Sequence, residues 1–104
     1  MSTLLDKRKF YIDGQWVEPA TPNDLEVIDP STEEPVAVIS LGNRADTDAA
    51  VAAARRALPS WSRTAPAERL AHIEKILEIY DRRAEDMAWA ISHEMGAPQD
   101  MSLE

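Results

Sequence analysis

The chain has 104 residues, room for one domain whose core would cover roughly two-thirds of the surface exposed by the unfolded form. With 44% apolar and 29% charged residues it is not wholly disordered, and no apolar run is long enough to span a bilayer. A net charge of −8 disfavours nucleic acid and anionic membranes as partners, and the lack of cysteine excludes disulfides, thiolate metal sites and a Cys nucleophile.

Residues 1–9 lack the apolar stretch of a signal peptide and read as a flexible N-terminal arm, with Lys7-Arg8-Lys9 a solvated run beside Asp6. Short apolar runs then flank Asp13-Gly14 in Phe10-Tyr11-Ile12-Asp13-Gly14-Gln15-Trp16-Val17. Such a pair supplies the positive φ angles of a type I′ turn, so a hairpin is expected. After a polar, proline-containing stretch, Leu25-Glu26-Val27-Ile28 reads as a strand stopped by Asp29-Pro30-Ser31-Thr32. Pro30 disfavours helix at Asp29 and has no N–H for a ladder. Pro35 to Leu41 gives the return strand of a second hairpin, closed by Gly42.

The second half reads as helix. Asn43 is placed to cap the first helix, with Asp46 completing a capping-box pair and favouring the helix dipole. Ala49, Ala50, Ala53, Ala54 and Ala57 build an alanine face suited to close packing, and Pro59 is expected to end the helix. Trp61 then falls in a linker, where it would plug a core edge. A longer helical stretch begins at Thr64 or Ala65, with Pro66 and Glu68 in its first turn. Leu70, Ile73, Leu77, Tyr80, Ala84, Met87, Ile91 and Met95 form an apolar stripe on one helix, or on two meeting near Asp81. Met87 and Met95 on that stripe are expected to fill a core. Gly96 serves as C-cap, and Pro98 blocks continuation. Strands followed by two or three helices make an α+β segment, either an appendage or the opening of a larger α/β protein.

Catalytic chemistry finds no place among these residues. Three glycines, Gly14, Gly42 and Gly96, are too far apart for a dinucleotide fingerprint or a phosphate loop. His72 and His93 belong to no triad or metal motif and read as surface or interface residues. Glu94, near a helix end where its charge opposes the dipole, reads as a surface residue or one with a structural carboxylate.

The order of motifs is specific. Phe10 to Val17 resembles the opening of aldehyde dehydrogenases, with Ile12, Gly14 and Trp16 at the family's positions. Val27-Ile28-Asp29-Pro30-Ser31-Thr32-Glu33 is similar to that family's Asp-Pro turn, except that Glu33 stands where glycine is usual. Asp46 to Ala54, Trp61 with Ala67-Glu68-Arg69, and Glu94-Met95-Gly96-Ala97-Pro98 resemble three further family segments. The resemblance implies that residues 10–98 are the N-terminal segment of a cofactor-binding α/β domain. The parent enzyme would oxidise an aldehyde to a carboxylic acid with NAD or NADP.

Family members run to several hundred residues, so residues 99–104 are expected to be a truncated end, with Leu103-Glu104 as a tag scar. On this reading no catalytic or cofactor-binding residue lies in the chain, no cofactor binds it alone, and it is inactive by itself. Its partners would be the remainder of the parent chain and further copies in a cytoplasmic homo-oligomer. By the same resemblance, a monovalent cation in the whole enzyme would lie near the Ile28 carbonyl and Glu94. The alternative is a free-standing, non-catalytic interaction or self-association module of the same family.

Overall fold

A computed structural model describes residues 4–104, so the part of the expected arm before Leu4 lies outside the described residues. Strands precede helices, as expected of an α+β segment: β1 (Leu5–Lys7), β2 (Phe10–Ile12), β3 (Gln15–Val17), β4 (Asp24–Asp29) and β5 (Glu34–Ser40) lead to α1 (Arg44–Trp61), α2 (Pro66–Arg82) and α3 (Ala84–Met95). A short 3-10 helix, Met101–Leu103, follows. Among the described residues no helix is long and apolar enough to cross a membrane. The chain divides into two units: one runs to Ile28 and resumes over Glu34–Ser62, the other comprises Asp29–Glu33 with Arg63–Glu104.

In the first unit, β2 and β3 form the expected hairpin, with Phe10 opposite Val17 and Tyr11 opposite Trp16. Asp13 (φ 55) and Gly14 (φ 75) both adopt the left-handed conformation that a type I′ turn demands. β4 and β5 are neighbours joined by four residues, the second expected hairpin. Residues 5–7 depart from the free arm expected of them. They form β1, which pairs in parallel with β5 so that Leu5, Asp6 and Lys7 face Ala37, Val38 and Ile39. Parallel partners are distant in sequence, so three residues with two charges among them carry no local sign of the pairing. β5 is thereby central in the order β1–β5–β4, and its Pro35–Ile39 run is half-buried.

The start of α1 follows from its first residues. The Asn43 side chain accepts from the Asp46 N–H at 3.2 Å, and the Asp46 carboxylate accepts from the Asn43 N–H at 2.9 Å. This is the reciprocal capping box, and it satisfies two donors that a helix start leaves orphaned. Pro59 does not end α1, which runs through it to Trp61. In the last turn proline costs only one ladder bond. The Ser60 and Ser62 hydroxyls donate to the carbonyls of Ala57 and Pro59, and the Ser62 N–H donates to Leu58. Trp61 is therefore the last helical residue rather than part of a linker, and it is half-exposed. Of the alanine face, only Ala53 is buried, at 7% exposure.

The second unit holds α2 and α3. Pro66 is the first residue of α2, where its missing N–H is harmless. The stripe is broken at Arg83 (φ −112, ψ 13), close to the meeting point expected at Asp81, giving two helices. Gly96 (φ 81) closes α3 in the left-handed conformation, its N–H donating to Ser92 at 2.9 Å. A Cβ at Gly96 would stand 3.1 Å from the Pro30 ring, so glycine answers both backbone and space. Ala88 is fully buried, but Met87 and Met95 (75% exposed) are not core residues as expected. On the same stripe Ala84 and Ile91 are partly buried, whereas its α2 members are all exposed.

Candidate functional site

The two residues expected near a cation fall on different elements. Ile28 is the penultimate residue of β4, its carbonyl entering the Asp29-Pro30 turn, and Glu94 is exposed in the last turn of α3. The turn itself is tightly specified. Buried Asp29 accepts from the Ser31 N–H through its carboxylate at 2.8 Å, and from the Glu33 N–H through its carbonyl at 2.7 Å. Glu33 takes φ 60, the left-handed conformation that glycine adopts without strain. Among the described residues no three His, Cys, Asp or Glu side chains gather as a metal cluster.

The basic run Lys7-Arg8-Lys9 is engaged with carboxylates. Arg8 pairs with Asp6 at 2.8 Å and with Asp24 at 3.3 Å, and Lys9 lies 3.6 Å from Glu18. The hydrogen bond from the Arg8 side chain holds the Asp6 carboxyl down at about 2, with the Arg8 backbone N–H adding to the effect. Arg8 is in turn pushed above its ordinary value, chiefly by Asp6. Sequence order suggested the Asp6 contact only as a neighbour. Asp24 has no local signal, because the fold brings it from β4.

His93 is placed by geometry rather than by chemistry. Its ring stacks on Trp89 with centroids 3.9 Å apart, and Nδ1 lies 2.8 Å from the Trp89 carbonyl. That carbonyl only accepts, which assigns the proton to Nδ1. His72 lies on exposed α2. Two further contacts were not legible in the chain order. The Asp46 carboxylate also accepts from the Ala20 N–H at 2.8 Å, tying the loop after β3 to the start of α1. Tyr11 and Trp16, both exposed, meet across the first hairpin with centroids 5.1 Å apart and rings tilted by 59°.

A dinucleotide needs backbone N–H groups at an open helix start, reached through a glycine-rich turn. The residues here do not fit that need. The start of α1 is closed by its own Asn43 and Asp46, α2 begins on a proline, and α3 has Glu85 and Asp86 in its first turn. Each arrangement blocks or repels a pyrophosphate.

Comparison with known proteins agrees with the order of motifs. Residues 16–104 match the aldehyde dehydrogenase family. A 3-succinoylsemialdehyde-pyridine dehydrogenase from Pseudomonas is 48% identical over 91% of this chain and 20% of its own length. The crystal structure of an aldehyde dehydrogenase from Bartonella henselae superposes with a TM-score of 0.95 at 61% identity, covering 96% of this chain and 21% of that one. Aldehyde dehydrogenase C of Pseudomonas syringae, solved with NAD+ and octanal, superposes at 0.90 with 47% identity, over 92% of this chain and 20% of that one. The strands-then-helices architecture matches the N-terminal part of these solved structures. The chain belongs to the aldehyde dehydrogenase family. It spans about a fifth of the length of the relatives it matches.

Proposed function

We propose that this chain serves as the N-terminal scaffold of an NAD(P)-linked enzyme that oxidises an aldehyde to its carboxylic acid. The observation that carries the reading is the family match over residues 16–104. Structures of the family solved with NAD+ support the cofactor for the whole enzyme. In that enzyme the thiolate and the nucleotide contacts are supplied outside these residues, because this chain contains no cysteine and its helix starts do not fit a pyrophosphate. The chain contributes geometry: a capped α1, a fixed Asp29–Glu33 turn, and helices with apolar faces for further sequence to pack on. A cytoplasmic, homo-oligomeric parent belongs to the same proposal.

The purified chain, given NAD+ and octanal, is expected to form no NADH. Reproducible, protein-dependent turnover would overturn the scaffold reading. The cation pair is a separate part of the proposal, with the Ile28 carbonyl and the Glu94 carboxylate as ligands in the whole enzyme. Crystals of that enzyme soaked in a heavier monovalent cation should show density between these two groups, and their absence there removes the site.

A further inference from the structure

Of the three glycines, only Gly14 follows an Asp or Asn, and the pair Asp13-Gly14 forms the tip of the first hairpin. An aspartyl carboxyl beside glycine can react within its own backbone, because a following residue without Cβ leaves its amide nitrogen open to attack on that carboxyl. Among the described residues nothing stands within 4 Å of where a Gly14 Cβ would lie, so the surroundings add no crowding. The turn, however, holds the two groups apart. Asp13 at φ 55 and Gly14 at φ 75 are the type I′ pair, in which the first residue has ψ of about +30°. Ring closure needs the Gly14 nitrogen to eclipse Cβ of Asp13 about the Cα–C bond, which for an L residue falls at ψ of about −120°. In the turn that nitrogen lies on the far side of the bond. Arg56 of α1 adds a restraint, pairing with the Asp13 carboxylate at 3.5 Å, and Tyr11 and Trp16 meet across the two strands.

We propose that Asp13-Gly14 is a latent modification site: the closed hairpin keeps the bond inert, and opening of the hairpin lets it rearrange to an isoaspartyl linkage. The Gly14 nitrogen attacks Cγ of the protonated Asp13 carboxyl. An N–Cγ bond forms, the amide proton and the carboxyl hydroxyl leave together as water, and a five-membered succinimide results. Water then reopens the ring. Addition at Cγ restores aspartate, whereas addition at the backbone carbonyl leaves Gly14 bonded through Cγ. The chain is then one methylene longer at the turn, with no change in mass and no oxidant or reductant consumed. A two-residue turn cannot absorb that extra atom and still set Phe10 opposite Val17 and Ile12 opposite Gln15, so the product hairpin stays open. The chemistry is internal to two consecutive residues and takes only water from outside, so it does not depend on what covers the hairpin or on the chain's place in an enzyme.

The purified chain, incubated at one pH and temperature in buffer and in concentrated urea, is assayed for isoaspartate with an isoaspartyl methyltransferase, and peptide mapping locates it. Isoaspartate at Asp13 should accumulate in urea and form about tenfold or more slowly in the folded chain, where it waits on local opening. Gly14→Ala should slow the reaction in urea, where the turn no longer matters and only the added Cβ hinders the nitrogen. Arg56→Ala and Trp16→Ala loosen the hairpin and should each raise the folded-state rate by about twofold to fivefold, leaving the rate in urea unchanged. Isomerised chain, separated by chromatography, should exchange its hairpin amides faster than the parent. Equal rates in buffer and urea overturn the proposal, as does a lack of isoaspartate at Asp13 in both. A folded-state rate indifferent to both loosening variants overturns it too.

Discussion

β5 and α2 are both rich in apolar residues, yet β5 is half-buried along Pro35–Ile39 while α2 has no buried residue. The difference lies in how each element satisfies its backbone. A strand has unpaired N–H and C=O groups on both sides, so β5 must recruit neighbours, and β1 and β4 shield its side chains as they pair with it. A helix bonds its own backbone internally, so nothing but its apolar face calls for a partner. Among the described residues none covers it enough to bury a side chain of α2.

The largest expected effect comes from adding volume where the chain does close on itself. Ala88 has no exposed surface, so Ala88→Leu is expected to cost about 1–3 kcal/mol in urea denaturation. Leu77→Ser, at a concentration where the chain is monomeric, should change stability by less than about 0.5 kcal/mol, since its side chain is 57% exposed. Equal costs for the two would erase the contrast between covered and uncovered helix faces.

Next comes the anchoring of α1, which α2 lacks, since the Ala65 side chain makes no cap hydrogen bond. Asp46→Ala removes acceptors for the Asn43 and Ala20 N–H groups and should cost about 1 kcal/mol, read from the same denaturation curves. Amide exchange at Ala20 should quicken in parallel. A smaller gain is expected at the turn between β4 and β5. Glu33→Gly relieves a side chain held at φ 60 and should stabilise by about 0.5–1 kcal/mol, visible as a higher denaturation midpoint.

The smallest effect concerns β1. Asp6 sits at about 2 against an ordinary 3.8, so the folded chain binds this proton less tightly than the unfolded chain. Its contribution is complete above 3.8 and is lost as pH falls through about 2. Amide exchange in Leu5–Lys7 should therefore gain an acid-sensitive protection that Asp6→Asn lacks. Salt should shrink the difference, because the pair is exposed.

Features whose causes lie within a few residues were legible in the sequence. Asp13-Gly14 announced its hairpin, Asn43 with Asp46 its cap, Pro66 a helix start and Gly96 a helix stop, since in each case backbone sterics or one nearby hydrogen bond decides the geometry. The order of motifs likewise marked the family. Pro59 misled because its rule is written for helix interiors, and two serine hydroxyls serve carbonyls at the end of α1.

Only the tertiary structure decided the pairing of β1 with β5, the approach of Asp24 to Arg8, and the tie from Asp46 to Ala20. Each joins residues far apart in the chain, where closure entropy must be overcome by contacts that no local window contains. The exposure of Met87 and Met95 was decided in the same way. Helical spacing determines that a stripe is apolar, but whether anything covers it depends on what the chain, or another chain, brings to that face.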